Sequence, residues 1–197
     1  MWQQILPGLR IKLFMTLVLG IAYPLLITGI SQIIFPHQAN GSLIKTGDRL
    51  IGSELIGQNF SKPEYFHPRP SAAGSNGYDA AASNGSNYGP TNQKLFDRVK
   101  ASADQFRKEN PNYRGPIPAD LLTASASGLD PHISPDSARA QLARVAKARG
   151  VQPEAIDRYI SEFTERPDLG FLGEPRVNVL MLNLALDQHI PVSKNRQ

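Results

Sequence analysis

Asp130, His132 and Ser134 lie within the run Asp130-Pro131-His132-Ile133-Ser134 and supply the carboxylate, imidazole and hydroxyl of a hydrolytic triad. Sequence neighbours seldom reach triad geometry, so the structural reading has Asp130 and Ser134 capping backbone amides ahead of a helix. Ser42-Leu43-Ile44-Lys45 fits a Ser-x-x-Lys pattern and Lys45-Thr46-Gly47 fits a Lys-Thr-Gly pattern. One lysine cannot fill both roles, and the two matches overlap in an expected hairpin. His37, His67, His132 and His189 are scattered without an i,i+4 pair, and there is no cysteine. Zinc chemistry, disulfides and cysteine nucleophiles are therefore not expected. No G-x-x-x-x-G-K-[ST] loop and no Asp-Lys-Thr-Gly phosphorylation motif is present, so the chain is not expected to hydrolyse ATP alone. The expectation is no catalytic residue and no metal ligand.

The elements that would position these groups follow from pattern. Gly41 to Ile44, the turn Thr46-Gly47-Asp48, and Leu50 to Gly57 read as a β-hairpin or adjoining strands. Tyr65-Phe66-His67 reads as a short strand ended by Pro68 and Pro70, and Asp120 to Ser127 as a strand running into a Ser/Gly turn. Leu95, Val99, Ala103 and Phe106 share one face of a helix from Gln93 to Glu109, capped by Asn92 or Thr91. Ser134-Pro135 opens a helix and Gly150 closes it, with Ala138, Leu142, Val145 and Ala146 inward. Arg144, Lys147 and Arg149 crowd its last turn, where positive charge complements the helix dipole. Another helix starts near Pro153 with Ile156, Ile160 and Phe163 inward, and Val177 to Leu186 favours a terminal helix. Asn178 and Asn183 in that apolar stretch read as hydrogen-bonded packing residues. Ser71 to Asn92 is a Ser/Ala/Gly/Asn loop; it reads as a flexible surface or as a partner-docking loop anchored by Tyr78 and Tyr88, with Asn87 and Asn92 counted among its contacts.

Leu13 to Phe35 carries no charge. About 23 residues at about 1.5 Å rise span about 34 Å, enough for a hydrocarbon core of about 30 Å. The run has no polar face, is longer than a signal-peptide core, and is not followed by a clear small-x-small processing site, so it reads as an uncleaved anchor. Arg10 and Lys12 sit on its short side, which places the N-terminus in the cytoplasm and the C-terminal region outside. Pro24, with Gly20 and Gly29, leaves a thin, bendable surface where a partner helix could approach.

The 21 Lys+Arg and 17 Asp+Glu give +4, and they are interspersed rather than gathered into a stripe, so nucleic acid is not an expected partner. An apolar share of 41% and 197 residues suit one domain plus a short appendage. The expected organisation is a cytoplasmic N-terminus over 1–12, a transmembrane helix over 13–35, and one mixed α/β extracytoplasmic domain over 36–197.

Several ordered blocks resemble one family along nearly the whole chain. They are Gly57-Gln58-Asn59-Phe60; Tyr65-Phe66-His67 with Arg69-Pro70-Ser71-Ala72; Gly85-Ser86-Asn87 with Pro90-Thr91-Asn92; and Thr123 to Asp130. Arg144 to Arg149, Val177-Asn178-Val179-Leu180 and Leu182-Asn183-Leu184-Ala185-Leu186 continue the series. The chain resembles the C-subunit family of the bacterial Kdp potassium-transporting ATPase. That resemblance implies an inner-membrane complex that imports potassium at the expense of ATP. A channel-like subunit binds the ion, a P-type subunit hydrolyses nucleotide, and this chain is a non-catalytic third member. It would stabilise the assembly and raise ATP affinity, with ATP and potassium handled by its partners. Gln141, in Ala140-Gln141-Leu142, matches a glutamine proposed to contact nucleotide. The topology puts Gln141 outside while ATP is inside; its plain reading is a solvated helix residue, and an effect on ATP affinity would travel through partner helices as a coupling free energy. The alternatives are a membrane-anchored extracytoplasmic enzyme and a solute-binding domain.

Overall fold

The apolar run folds as one long rod in a computed structural model, which describes residues 2–192. Helix α1 (Trp2–Leu17) passes through a π-turn (Val18–Ala22) into α2 (Tyr23–Ile34). Pro24 explains the π-turn: it has no N–H, and its ring crowds the carbonyl four residues back, so the turn ahead of it widens. Tyr23 N–H accordingly donates to the Val18 carbonyl, five residues back. The stretch Gln3–Ile34 has 32 residues, or about 48 Å at about 1.5 Å each, and none of its apolar window is buried. Helix therefore extends well ahead of Leu13. Gly20 and Pro24 lie four residues apart on one flank, whereas Gly29, five residues on, falls about 140° round the helix and shares no stripe with them. Phe35 breaks the helix (φ −130°, ψ 59°), and α3 (Pro36–Ala39) restarts it for one turn.

Strands β1 (Leu43–Thr46) and β2 (Arg49–Ser53) pair antiparallel around Gly47, whose φ of 61° suits a tight turn. Strand β2 ends at Ser53, short of the expected Gly57. The chain divides into two compact units, Met1–Ser53 and Glu54–Gln197. The hairpin thus belongs with the rod.

The second unit holds α4 (Gln93–Glu109), a 3-10 turn (Ala119–Leu121), β3 (His132–Ile133), α5 (Pro135–Arg149), α6 (Pro153–Glu162), β4 (Thr164–Glu165), β5 (Arg176–Asn178) and α7 (Val179–His189). It mixes helix and strand as expected, but its sheet is one small antiparallel set in the order β3-β5-β4. The register pairs His132 with Asn178 and Ile133 with Val177 on one side of β5, and Thr164 with Val177 on the other. Around it close Ala138, Val145 and Ala146 of α5, Ile156 and Ile160 of α6, and Val179, Leu182 and Leu186 of α7, together with Phe66. A smaller cluster joins Phe106 of α4, Leu121 and Ala140.

Helix α5 has the expected ends. Ser134 Oγ accepts from Ser137 N–H at the start, and Gly150 takes the left-handed conformation (φ 72°) at the stop. Asp120 reinforces the start, accepting from Ser134 N–H (2.7 Å) and from the buried Ser137 hydroxyl (2.6 Å). This duty corrects the expected strand over Asp120–Ser127: the chain makes a 3-10 turn there and then runs irregularly. The terminal segment is both strand and helix, β5 turning into α7 where Asn178 Oδ1 accepts from Met181 N–H.

Residues 71–92 have almost no regular structure, yet their first part, from Ser71 to Asn84, is tethered. Ser71 Oγ donates to the Gly128 carbonyl (2.6 Å) and accepts from the N–H groups of Ala73 and Tyr78. Asn84 N–H donates to the Ser127 carbonyl. Gly128 (φ 66°) and Gly85 admit this contact because any Cβ would meet backbone at 2.6 Å and 2.7 Å respectively.

Candidate functional site

Segment 63–70 contains Pro63, Pro68 and Pro70, so half its amides that would feed a ladder on one edge are missing or constrained. It forms no strand; side chains stand in for a neighbouring strand instead. Phe66 N–H donates to Asn183 Oδ1 (2.8 Å), and Asn183 Nδ2 donates back to the Phe66 carbonyl (3.0 Å). One residue on, His67 N–H donates to Gln141 Oε1 (2.8 Å) and Gln141 Nε2 returns to the His67 carbonyl (3.0 Å). Two helices thus each lend one amide to consecutive residues. Both amides are buried, with 1% exposure each.

Two arginines of α5 complete the clamp. Arg149, its side chain fully buried, donates to the Glu64 carbonyl (2.8 Å), the Ile190 carbonyl (2.7 Å) and Asp187 (2.8 Å), and lies over the Tyr65 ring. Arg144 donates to the carbonyls of Pro63 (2.7 Å) and Tyr65 (2.9 Å), to Gln141 Oε1 (2.7 Å) and to Asn110 Oδ1 (3.1 Å). Burial pulls the Arg144 guanidinium down to about 10, against which Glu109 and Glu64 push it up. Neither arginine is a solvated cation at a helix end; both point inward to satisfy carbonyls that the missing strand leaves open.

His67 links this clamp to α4. Its Nδ1 lies 3.1 Å from Glu109 Oε2, and its Nε2 lies 3.0 Å from the Lys62 carbonyl. The hydrogen bond from His67 holds the Glu109 carboxyl below the ordinary glutamate range, outweighing the burial that would raise it. Arg69 pairs with Asp130 at 2.9 Å. Burial would raise the Asp130 carboxyl, but hydrogen bonds from His132 and the Arg69 charge together hold it below its usual value. Arg69 Nε is buried without a hydrogen-bond partner. Between segment 67–78 and α4 lies an open cleft of about 520 Å³ lined by His67, Arg69, Ser71, Tyr78, Gln105 and Glu109.

The Asp130–His132–Ser134 run assembles no nucleophile. Ser134 Oγ is turned to Asp120 and Ser137, and Asp130 to Arg69 and the His132 N–H, so the Asp130–His132–Ser134 run forms caps rather than a triad. Lys45 sits mid-strand opposite Leu50, and Ser42 is buried. Among the described residues no group of three or more His, Asp or Glu side chains could hold a metal.

The arrangement is one of fixed carbonyls and neutralised charge, suited to holding a shape. The family model for the K+-transporting ATPase c chain, KdpC, matches residues 5–188. The chain belongs to the KdpC family. A protein from Myxococcus xanthus called "Potassium-transporting ATPase KdpC subunit" is 54% identical over 189 residues, covering 95% of this chain and 89% of the relative. One of the same name from Rhodospirillum rubrum is 54% identical over 95% of this chain and 96% of its own length. Another, from Beijerinckia indica, is 52% identical over 98% of both chains.

Within this KdpC-family chain the residues expected to touch partners fall in different places. Tyr78 is no free anchor: its hydroxyl donates to the Arg69 carbonyl (2.5 Å), and burial, helped by Asp130, pushes the phenol well above its ordinary value. Tyr88, at 38% exposure, and Asn87, with a left-handed φ of 51°, are on the surface. Asn92 is the N-cap of α4, its Oδ1 accepting from Lys94 N–H at 3.0 Å. Gly20, Pro24 and Gly29 are all exposed on the rod. Gln141 is not a solvated helix residue; its amide is taken up by His67 and Arg144.

Sequence pattern alone misses Arg144, Arg149, His67 and Glu109 as clamp members. A signal was present for two of the clamp's polar groups. Ala138, Gln141, Val145 and Arg149 recur at intervals of three and four, so Gln141 and Arg149 continue the apolar stripe of α5 into the core. A polar residue at a core position requires buried partners.

Proposed function

We propose that this chain is a non-catalytic accessory subunit of an ATP-driven potassium import complex, anchored by its N-terminal helix with residues 36–197 on the outer face of the inner membrane. The observation that carries the reading is the match to subunits named for the potassium-transporting ATPase along nearly the full chain. The long unburied apolar helix supports the anchor, and Arg10 and Lys12 near its start support a cytoplasmic N-terminus. The partners of this reading are a channel-like subunit that binds potassium and a P-type subunit that hydrolyses ATP. The rod packs against a partner helix along the Gly20–Pro24 flank, and the outer unit stabilises the assembly.

Gln141 enters this proposal as a positioning residue. Its amide holds segment 63–70 in place, and an influence on ATP affinity passes from the outer unit through partner helices as a coupling free energy. The test is to purify the complex with and without this chain and measure potassium-stimulated ATPase activity. The expected result is loss of assembly, with a raised KM for ATP in what remains. Hydrolytic activity in the chain purified alone, or an outer unit protected from protease added to spheroplasts, would refute the proposal.

A further inference from the structure

Leu169, Phe171 and Leu172 stand on the turn between β4 and β5 with 83%, 74% and 50% of their surfaces exposed. Single exposed apolar residues are ordinary, but three within four positions concentrate exposed apolar surface on one turn, and such concentration marks interaction sites. The turn is braced rather than slack. Asp168 and Leu172 exchange both backbone hydrogen bonds at 2.9 Å, and Gly170 N–H donates to the Pro167 carbonyl at 2.9 Å. At its base Arg176 bridges Glu165 (2.8 Å) and Asp168 (3.6 Å). Leu169 is held at φ 54°, a left-handed conformation that bulky side chains avoid, and its side chain stands exposed, as does that of Phe171. Strain of this kind persists where the surroundings over-determine it, and here its product is a preformed apolar knob.

The charge around the knob selects its occupant. Glu162, Glu165, Asp168 and Glu174 outnumber two arginines, Arg166 and Arg176, and the stretch contains no lysine, tryptophan or tyrosine. A lipid-seeking loop carries basic and interfacial aromatic residues to meet anionic headgroups; an excess of carboxylates opposes that contact. We infer that the 167–173 turn is a plug that seats Leu169 and Phe171 in an apolar cleft with a basic rim on another polypeptide of the transporter. The inference rests on the accessory-subunit reading above. It adds the place on this chain where that contact is made.

The test uses the full chain co-expressed with the other polypeptides of the complex, with a photo-crosslinking amino acid at position 171 and, separately, the variant Leu169→Ser/Phe171→Ser. Both side chains are exposed, so the double variant should melt with the wild type. Expected are a crosslink from position 171 to another polypeptide of the complex and about a tenfold fall in recovery of the double variant with it. Phe96→Ser, which removes an equally apolar side chain exposed on α4, should leave recovery unchanged. A crosslink only to lipid or to a second copy of this chain overturns the inference. So does wild-type recovery of the double variant, or an equal loss in Phe96→Ser. Wild-type chain recovered without partners overturns the subunit reading and this inference together, which separates the two failures.

Discussion

Gln141 and His67, from α5 and from the proline-rich segment 63–70, exchange two hydrogen bonds of 2.8 and 3.0 Å, the pattern one strand offers the next. Removing the amide strands a backbone N–H and a carbonyl where water has little access. Gln141→Ala should therefore destabilise the second unit by about 3 kcal/mol, since each buried orphan costs about 1–3 kcal/mol. Denaturant unfolding of the full chain in detergent, followed by tryptophan-independent circular dichroism, measures it. A change below about 1 kcal/mol would show that the ladder is dispensable.

Asn183 does for Phe66 what Gln141 does for His67, so the two substitutions should not be independent. Once Asn183→Ala has released the segment, Gln141→Ala has less left to lose. A double-mutant cycle should give a combined cost at least about 0.5 kcal/mol smaller than the sum, the coupling expected of residues sharing one partner segment. Strict additivity would mean that the two amides hold separate pieces.

Arg149→Leu should cost about 3 kcal/mol, because it leaves the Glu64 and Ile190 carbonyls without donors and Asp187 without its ion pair. Asp187 is 41% exposed and can rehydrate, which keeps the loss at the low end for a broken buried pair. Arg149→Lys retains the charge but not the planar fork, so it should lose less than the leucine variant yet remain below wild type. Thermal melts of the three proteins rank them.

Glu109 has a folded-state value below its unfolded value of 4.5, held there first by the hydrogen bond from His67. Its contribution is therefore fully present above 4.5 and is lost as pH falls through the lower folded value. Melting temperature should drop below that pH in wild type. Glu109→Gln should be less stable near neutrality and converge on wild type in acid; parallel curves would remove Glu109 from the acid response.

Asp120 accepts from both Ser134 N–H and the Ser137 hydroxyl, which is 0% exposed. Asp120→Ala should cost about 2 kcal/mol by orphaning buried donors, more than the about 1 kcal/mol expected for loss of the Ser134 cap in Ser134→Ala. Urea midpoints decide the order. An inverted order would make Ser134 the principal cap.

The long-period features were legible from residue types. A charge-free run of sufficient length must be helical because only a helix satisfies its own backbone, and Pro24 marked where that helix would be disturbed. Helix α5 was readable at both ends because capping is local: Ser134, Pro135 and Gly150 act on amides and carbonyls within one turn. The face of α4 was readable for the same reason, with Phe106 buried near its C-terminal end and Leu95, Val99 and Ala103 half-buried before it. Strand assignments at 65–67 and 120–127 failed because both depended on partners. In one case the proline pattern gave the ladder to Asn183 and Gln141, and in the other Asp120 was drawn to the start of α5.

The residue order by itself determined the long apolar helix and the principal helices that follow it, because periodicity and caps are short-range facts. Only tertiary structure decided which charges and amides turned inward. Arg149 and Lys147 look alike in sequence, but one is buried against Glu64, Asp187 and Ile190 and the other is not. The reason is physical: segment 63–70 crosses the core with open carbonyls, and the side chains that answer them lie 74 and 117 residues away, a match that no local pattern encodes.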